Sequence, residues 1–364
     1  MPKTIKIHLN PAQFVEREAN FLETGELRAS LFRYPSSVCA IRLRNGSGEL
    51  IMLPFQGQQI WSAEIKGRKL TMRSMFDQPN PTTAFLHTFG GFFQHCGATA
   101  MGVPAPEDSH PLHGELPNAP YQSAYLEAGE DNNGAFIALG GVYRHTVAFQ
   151  SNYSATPLVK IYAGSSIFHI QQTITNLKKK PMPLMYLAHI NFKPVDGGKL
   201  LYTAPADSKH IRVRNLGPNQ PELKPHFREF INELAVHPEK HMLLTPDLIF
   251  DPEVVLYVDY LPDEQGWAHG MQLHPDGNAA VIYFRPEQLK HGITWLCRTP
   301  DQDALGLEAA TAEVAGYIAE KKKGNIILLP PEGVFRCDIR AGALPPEKAR
   351  AEEELIQKLV AGQS

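Results

Sequence analysis

Several features that point directly to a function are missing from this chain of 364 residues. Only four cysteines occur, and no two of them form a Cys-x-x-Cys pair, which removes the simplest zinc and thiol-redox motifs. No apolar run approaches the length of about 18 residues needed to span a bilayer. The first twenty residues contain no apolar run typical of a signal peptide. We therefore expect a cytoplasmic protein with free thiols and no membrane partner.

An excess of charge of either sign is also missing. The formal net charge is -3 and charged residues make up 20% of the chain, so the sequence offers no basic surface for nucleic acid. The hydrophobic fraction of 43% is enough for a substantial core. Internal repeats are absent as well. We expect one large domain with terminal additions.

The chain contains instead a long series of short β-type segments. About fifteen runs are rich in Val, Ile, Tyr, Phe and Thr, and Gly, Pro, Asn and Asp separate them. This pattern predicts an all-β protein built as a large antiparallel β-sandwich. The weakly patterned stretch 76–122 is predicted to be a long loop, and loops of that length inside a compact domain are often functional.

Helical signals are confined to short segments. Asn10-Pro11 resembles a helix cap and predicts a helix over 12–18. Further helices are predicted over 311–322 and 347–360. In the last of these, one apolar stripe is formed by Leu355, Ile356, Leu359 and Val360. We expect this stripe to pack on the sandwich.

The segments predict three parts along the chain. Residues 1–34 form an N-terminal extension that packs on the sandwich. Residues 35–342 form the sandwich domain itself, and residues 343–364 form a C-terminal helix.

Three ionisable residues lie where they could exchange protons. His113 precedes a glycine at the end of the long loop, and His189 ends an apolar strand, where a histidine facing a cleft makes a good proton donor. Glu308 lies among small and apolar residues, which raise a carboxyl pKa and suit a general base. Each has a plainer interpretation: a loop histidine bonded to backbone, a satisfied strand histidine and an ordinary strand-end glutamate.

The order of these segments resembles that of the aldose 1-epimerase, or galactose mutarotase-like, superfamily. The matching segments are Leu112-His113-Gly114, Thr175-Asn176 with His189-Ile190-Asn191-Phe192, Leu307-Glu308, and Leu329-Pro330-Pro331-Glu332. The resemblance covers residues 35–342. It is closest to a side branch of the superfamily that is distinct from galactose mutarotase itself.

The resemblance implies a galactose mutarotase-like supersandwich and an isomerase that interconverts sugar anomers. It places the general acid at His189, the general base at Glu308, and a sugar-orienting histidine at His113. It implies no metal, nucleotide or other cofactor.

The resemblance also implies further contacts with a small-molecule carbohydrate. Arg73 is a loose match for an arginine that clamps a sugar hydroxyl, and Glu253 or Asp259 for an acidic residue on a strand before the glutamate. Asn191, beside the second histidine, is a further candidate. Aromatic side chains often form a platform under a sugar, and the candidates are Trp267, Trp295 and Tyr121, although core packing is the plainer interpretation of each.

Two other functions stay open. His95, His110 and His113 could bind a metal in a cupin-like enzyme, although they lack the close His-x-His spacing of that class. A non-catalytic carbohydrate-binding sandwich or regulator is the second alternative. The sequence is compatible with a homodimer and does not specify the sugar.

Overall fold

The structure is a computed structural model that describes residues 4–214, 225–248 and 250–362. These residues form 22 strands and three α-helices. The strands in the first half of the chain are β1 (Ile5–Leu9), β2 (Ala19–Thr24), β3 (Leu27–Arg33), β4 (Cys39–Arg44), β5 (Gly48–Met52), β6 (Ile60–Ile65), β7 (Arg68–Lys69), β8 (Phe93–Ala98), β9 (Ser123–Asp131), β10 (Gly134–Val147), β11 (Ser151–Tyr162) and β12 (Ile167–Asn176). Those in the second half are β13 (Met182–Phe192), β14 (Lys199–Tyr202), β15 (Ile211–Val213), β16 (Val254–Val258), β17 (Ala268–Leu273), β18 (Ala279–Phe284), β19 (His291–Arg298), β20 (Asp303–Ala310), β21 (Ile327–Leu329) and β22 (Val334–Leu344). The helices are α1 (Pro225–Val236), α2 (Tyr317–Lys323) and α3 (Pro346–Ala361).

The strands form two large sheets that pack face to face. The smaller sheet has nine strands in the order β1-β9-β10-β11-β12-β22-β18-β17-β14. The larger sheet has 13 strands, of which eleven follow the order β15-β16-β19-β20-β13-β8-β6-β5-β4-β3-β2, while β7 pairs with β6 and β21 with β13. Neighbouring strands pair antiparallel throughout the site region. The predicted antiparallel sandwich is confirmed.

Alternation along the central strands creates two apolar layers. On β13, the even-numbered residues such as Leu184 and Ile190 belong to the core between the sheets. The odd-numbered Met185 and Leu187 belong to a second apolar cluster on the outer face of the larger sheet. Because both faces of β13 are covered, its sequence is an almost continuous apolar run.

The segment 76–122 is more structured than the predicted loop. It contains β8, which lies between β13 and β6, and a 3₁₀ turn over Phe85–Thr88. All six residues of β8 are buried, so this strand lacks the alternation that marks a half-exposed strand. Phe85, Phe89 and Met101 of the remainder pack with Met185 and Leu187 on the outer face of β13, while Leu116 and Tyr121 enter the core between the sheets.

The helical predictions are partly wrong. Only a 3₁₀ turn, Pro11–Gln13, follows the cap at Asn10, in place of a helix over 12–18. The second predicted helix begins later, at Tyr317, and α1 was not predicted. No helix within the described ranges is both long and apolar enough to cross a bilayer.

The segment over 1–34 contributes strands to both sheets. β1 pairs with β9 at one edge of the smaller sheet, while β2 and β3 extend the larger sheet beyond β4. The division of the chain at residues 34/35 and 342/343 stays a prediction.

The C-terminal helix α3 packs on the outer face of the smaller sheet. Ile356 is 2% exposed and belongs to an apolar cluster with Met271, Val281 and Leu344. Leu355, its neighbour in sequence, is 36% exposed. Glu352 adds a contact to His269 Nδ1 at 2.5 Å.

We predict that Ile356→Ala lowers the free energy of unfolding by about 2–4 kcal/mol, because it removes a buried side chain and leaves a cavity beneath α3. Leu355→Ala is the matched control and should cost less than about 1 kcal/mol. Urea unfolding of both variants measures the difference. Equal costs would show that the helix does not depend on this buried contact.

Candidate active site

The strand register brings His189 and Glu308 together. β13 and β20 pair antiparallel, with Ala188 opposite Ala309 and Asn191 opposite Gly306. The same register sets His189 opposite Glu308, and both side chains point to the outer face of the larger sheet. The Nδ1 atom of His189 lies 3.0 Å from Oε1 of Glu308.

Gly306 gives the Glu308 carboxyl the space it occupies. The two residues lie on the same face of β20, and a Cβ atom at position 306 would clash with the Oε1 atom of Glu308. It would also lie 2.9 Å from the Cβ atom of Trp295. Any larger residue at this position would therefore displace the carboxyl group or the indole.

His113 reaches the same place from the covering loop. Its backbone has a positive φ of 58°, its N–H donates to Gly102 O at 3.0 Å, and its carbonyl accepts from Gly97 N at 2.9 Å. Gly114 follows with φ 80°, and a Cβ there would clash with backbone oxygens of the loop. The imidazole centroid lies 5.3 Å from that of His189. The His-Gly pair thus belongs to a tight turn that aims one imidazole at the other.

Three buried polar atoms at this site have no hydrogen-bond partner among the described residues. They are Nδ1 of His189, Oε1 of Glu308 and Nδ1 of His113. The 3.0 Å contact between the first two lacks the alignment of a hydrogen bond. Most buried polar groups in proteins are satisfied. All three atoms are free to bond with the hydroxyl groups of a bound molecule.

Burial controls the ionisation of the site. Burial, followed by the charge of Glu253, raises the pKa of Glu308 well above its usual value. Burial lowers the pKa of His189 to about 4, and burial together with His189 holds the pKa of His113 well below its usual value. The site therefore favours a Glu308–His189 pair with one proton and no net charge. The directions of the two pKa shifts place that proton on Glu308.

The walls of the site combine aromatic rings with one ion pair. The cavity has a volume of about 330 Å³ and is lined by Phe85, Phe89 and Trp295 as well as the three ionisable residues. Arg214 Nη2 lies 2.9 Å from Glu253 Oε1, and the indole N–H of Trp295 donates to Glu253 Oε2 at 2.8 Å. Glu253 is thereby held at the mouth of the cavity by two donors.

Arg214 was not among the residues predicted from the sequence. This residue comes directly after β15, and its N–H donates to Val255 O at 2.8 Å beside β16. No local motif marks it, because its position depends on the pairing of two strands that are distant in sequence. Trp295, one of the three aromatic candidates, does line the cavity.

Three of the predicted sugar-binding residues do not line this cavity. Arg73 donates instead to the carbonyls of Pro300 and Thr299, at 2.6 and 3.0 Å, beside a different cavity of about 460 Å³. Trp267 lies at the smaller sheet under two arginines. Asn191 shares the outer face with His189, but its amide is buried and donates to Gly91 O at 3.0 Å.

The larger cavity beside Arg73 does not compete as a reaction site. None of the described residues that line it contributes a buried polar atom without a hydrogen-bond partner. Asp259, the alternative to Glu253, pairs with Arg212 at 3.1 Å on the surface. Tyr121 belongs to the core between the sheets.

The three histidines of the cupin-like alternative do not form one metal-binding cluster. His95 faces the core, where its Nδ1 lies 2.7 Å from the hydroxyl of Tyr186. His110 accepts a hydrogen bond from the backbone of Tyr317. Within the described ranges, no group of three His, Cys, Asp or Glu residues could hold a metal ion.

Comparisons with known proteins place this fold and site in context. A protein-family model described as a domain of unknown function, DUF4432, matches residues 36–341. No curated protein sequence matches the chain significantly.

Solved structures with the same fold are numerous. One, described provisionally as an aldose 1-epimerase from Klebsiella pneumoniae, superposes with a TM-score of 0.81 at 17% identity, covering 98% of this chain and 96% of its own. A galactose mutarotase-like protein from Clostridium acetobutylicum has a TM-score of 0.60 at 11% identity and covers 88% and 99%. A provisionally described mutarotase from Salmonella typhimurium has a TM-score of 0.57 at 11% identity and covers 90% and 96%. At these identities the likeness establishes the galactose mutarotase-like fold.

We predict that Glu308→Gln raises the free energy of unfolding at neutral pH. The folded pKa of Glu308 lies above the unfolded value of 4.5, so keeping this carboxyl protonated in the fold becomes an increasing cost as the pH rises above 4.5. Glutamine has the same shape and no such cost. The gain should disappear below about pH 4, where the carboxyl is protonated in both states.

Urea unfolding of both proteins across this pH range measures the effect. Glu332→Gln, at an exposed carboxyl, is the control and should not show the same stabilisation. A loss of stability in Glu308→Gln at neutral pH would contradict the predicted ionisation of the site.

Proposed function

The chain belongs to the DUF4432 family and has a galactose mutarotase-like fold, and from this premise we propose that it is an aldose 1-epimerase-like isomerase that interconverts the anomers of a sugar. One observation carries the proposal. A buried carboxyl and a buried imidazole lie 3.0 Å apart in a cavity large enough for a small molecule, and Oε1 of Glu308 and Nδ1 of His189 have no hydrogen-bond partner among the described residues.

The close contact suits the chemistry of a hemiacetal. Ring opening removes a proton from the C1 hydroxyl and delivers one to the ring oxygen. These two oxygens are bonded to the same carbon, so the base and the acid must lie next to each other. The pair formed by Glu308 and His189 meets this requirement, and a sugar edge placed against it can reach both groups.

The proposed ring opening leaves the number of protons on the pair unchanged but moves the proton from His189 to Glu308. The Glu308 carboxylate accepts the proton of the C1 hydroxyl while the His189 imidazolium donates one to the ring oxygen, and the bond between C1 and that oxygen breaks. Rotation about C1–C2 then exposes the other face of the aldehyde. The reverse transfers close the ring to the opposite anomer. Each general acid or base step contributes roughly 10²- to 10⁴-fold.

In the free protein the pKa shifts favour a protonated Glu308 and a neutral His189, so the charged arrangement used in this scheme has to form when the sugar binds. A pair that holds one proton can start as neutral acid and neutral imidazole, and the bound hydroxyls stabilise the charged arrangement when it forms. The aromatic walls of Phe85 and Phe89 exclude water from the pair. His113 lies beside His189 and is placed to donate to or accept from a sugar oxygen as charge develops.

In this proposal, the ion pair of Arg214 and Glu253 at the mouth of the cavity determines which sugar binds. Arg214 and Glu253 can bind neighbouring sugar hydroxyls as donor and acceptor, which is the task the resemblance assigned to a clamping arginine and an acidic residue. Trp295, held by its hydrogen bond to Glu253, offers an apolar face for the ring. Arg73 has no part in this proposal.

The first test measures anomer exchange by NMR with a panel of freshly dissolved α-aldoses. We expect wild-type protein to accelerate the exchange of at least one sugar, and Glu308→Gln and His189→Asn each to reduce the rate about 10²-fold or more, because each removes one proton transfer. Glu332→Gln and His237→Asn change exposed residues of the same types and should leave the rate unchanged.

Binding of a sugar without faster exchange would contradict the catalytic proposal and support the non-catalytic carbohydrate-binding protein. Retention of full activity in either site variant would contradict the assignment of that residue.

The second test concerns Arg214. On the sugar that the protein accepts, Arg214→Gln should raise KM by about 10- to 100-fold with a smaller change in kcat, because it removes a charge-assisted hydrogen bond to a hydroxyl and leaves the proton transfers intact. Arg212→Gln changes the nearby but more exposed arginine that pairs with Asp259 and Glu313, and should leave KM unchanged. A drop in kcat with constant KM would contradict the binding role.

A further inference from the structure

A second polar cavity lies on the opposite side of the sandwich. It is open on the outer face of the smaller sheet, has a volume of about 310 Å³, and is lined by side chains of β11, β12 and β22. The register sets Lys160 opposite His169 and His169 opposite Arg340, so these three residues form one row across the strands. Their neighbours Ile161, Ile170 and Ile339 point inward to the core.

Two arginines meet at one indole ring in this cavity. The guanidinium carbon of Arg340 lies 4.1 Å from the ring centroid of Trp267, and that of Arg285 lies 4.4 Å from it. Cation–π contacts orient both groups but neutralise neither of them. Arg285 also donates to Gln265 O at 3.0 Å.

Arg340 has no ion-pair or hydrogen-bond partner among the described residues, although it is only partly exposed. The carboxylates of the cavity are engaged elsewhere: Asp131 accepts from Lys160 and from the hydroxyl of Tyr162, both at 3.0 Å. Asp338 accepts from the amide of Gln171 at 2.7 Å.

The charged side chains that line the cavity, Lys160, Arg285, Arg340, Asp131 and Asp338, sum to a net charge of +1, and the exposed Glu287 lies 4.0 Å from Arg285. Burial and the charge of Arg285 lower the pKa of Arg340, which means that its cation is poorly compensated in the free protein. Burial and Arg340 also lower the pKa of His169 to about 4, so this imidazole is neutral at physiological pH and adds no charge. An anion bound beside the two guanidinium groups would relieve this imbalance.

We propose that this cavity binds the phosphate group of a small phosphorylated molecule. Guanidinium groups present planar pairs of donors that match phosphate oxygens. Two guanidinium groups match the two negative charges of a phosphate better than the single charge of a carboxylate. The volume lies at the lower end of the range for small-molecule sites, which fits a compact ligand. The amides of Asn133 and Gln171 line the cavity and can bond with hydroxyl groups of the same molecule.

The ligand does not bind by ring stacking in this arrangement. Both guanidinium groups lie over Trp267, so the indole serves to position the arginines. The site is also independent of the proposed isomerase site, because it lies on the other sheet and shares no residue with that cavity.

The test titrates full-length protein at low ionic strength with inorganic phosphate, D-glucose 6-phosphate, D-glucuronate and D-glucose. Calorimetry gives the affinity, and tryptophan emission reports on the surroundings of Trp267. We expect saturable binding of both phosphates and weaker binding of glucuronate. Any change in tryptophan emission with glucose should be the same in wild-type protein and in Arg340→Gln.

Variants decide whether the arginines carry the binding. Arg340→Gln and Arg285→Gln should each weaken phosphate binding at least tenfold. Arg336→Gln is the matched control: it changes an exposed arginine on the same face of β22, four residues earlier, and should bind phosphate as wild type does. The melting temperature of Arg340→Gln should fall only slightly, because the variant loses one cation–π contact and no ion pair. If Arg340→Gln folds poorly, Arg285→Gln tests the same site independently.

Three results would overturn the proposal. Wild-type protein could show no saturable binding of either phosphate. Arg336→Gln could lose as much affinity as Arg340→Gln, which would indicate diffuse attraction by the surface. Glucuronate could bind as tightly as glucose 6-phosphate, which would assign the cavity to carboxylates.

Discussion

The pairing of β13 with β20 is the constraint on which the site depends. A strand exposes alternate residues on each face, so a register shift of one residue would turn either His189 or Glu308 into the core between the sheets. The observed register instead sets the two opposite each other on the outer face. Gly306, two residues earlier on the same face of β20, leaves the carboxyl room to lie against the imidazole.

Burial sets the protonation of the Glu308–His189 pair and also lowers the stability of the fold. The segment before β8, with Phe85 and Phe89, and the segment after it, with Leu112 beside His113, both cover the outer face of the larger sheet, so the ionisable groups lie among apolar side chains. That environment opposes separate charges and favours a pair that holds one proton. A site of this kind lowers the stability of the fold at neutral pH, yet it keeps an acid and a base available without a metal in the proposed reaction.

The two outer faces of the sandwich handle charge in different ways. On the larger sheet, Arg214 is paired with Glu253, and the pair stands at the mouth of a mostly apolar cavity. On the smaller sheet, Arg340 and Arg285 crowd around Trp267 without a carboxylate between them. The first arrangement suits neutral hydroxyls, and the second suits an anion. The helix α3 covers the neighbouring part of the same face through apolar contacts.

Local patterns in the sequence predicted the fold class, and the resemblance carried by the ordered motifs singled out His189, Glu308 and His113 for the proposed reaction. Short β-type runs separated by turn residues predict an antiparallel sandwich, because alternation and turn chemistry are properties of adjacent residues. The His-Gly pair at 113–114 and the apolar surroundings of His189 and Glu308 are local as well, and the order of these motifs supported the resemblance. The tertiary structure alone decided which distant residues meet them. Arg214 enters the cavity through the pairing of β15 with β16, and Arg73 and Trp267 are directed to other surfaces by their own strands. Strand β8 was missed because burial on both faces removes the alternation that identifies a strand. The sequence therefore determined what the chain can form locally, while strand register and the packing of the covering loop determined which side chains share a cavity.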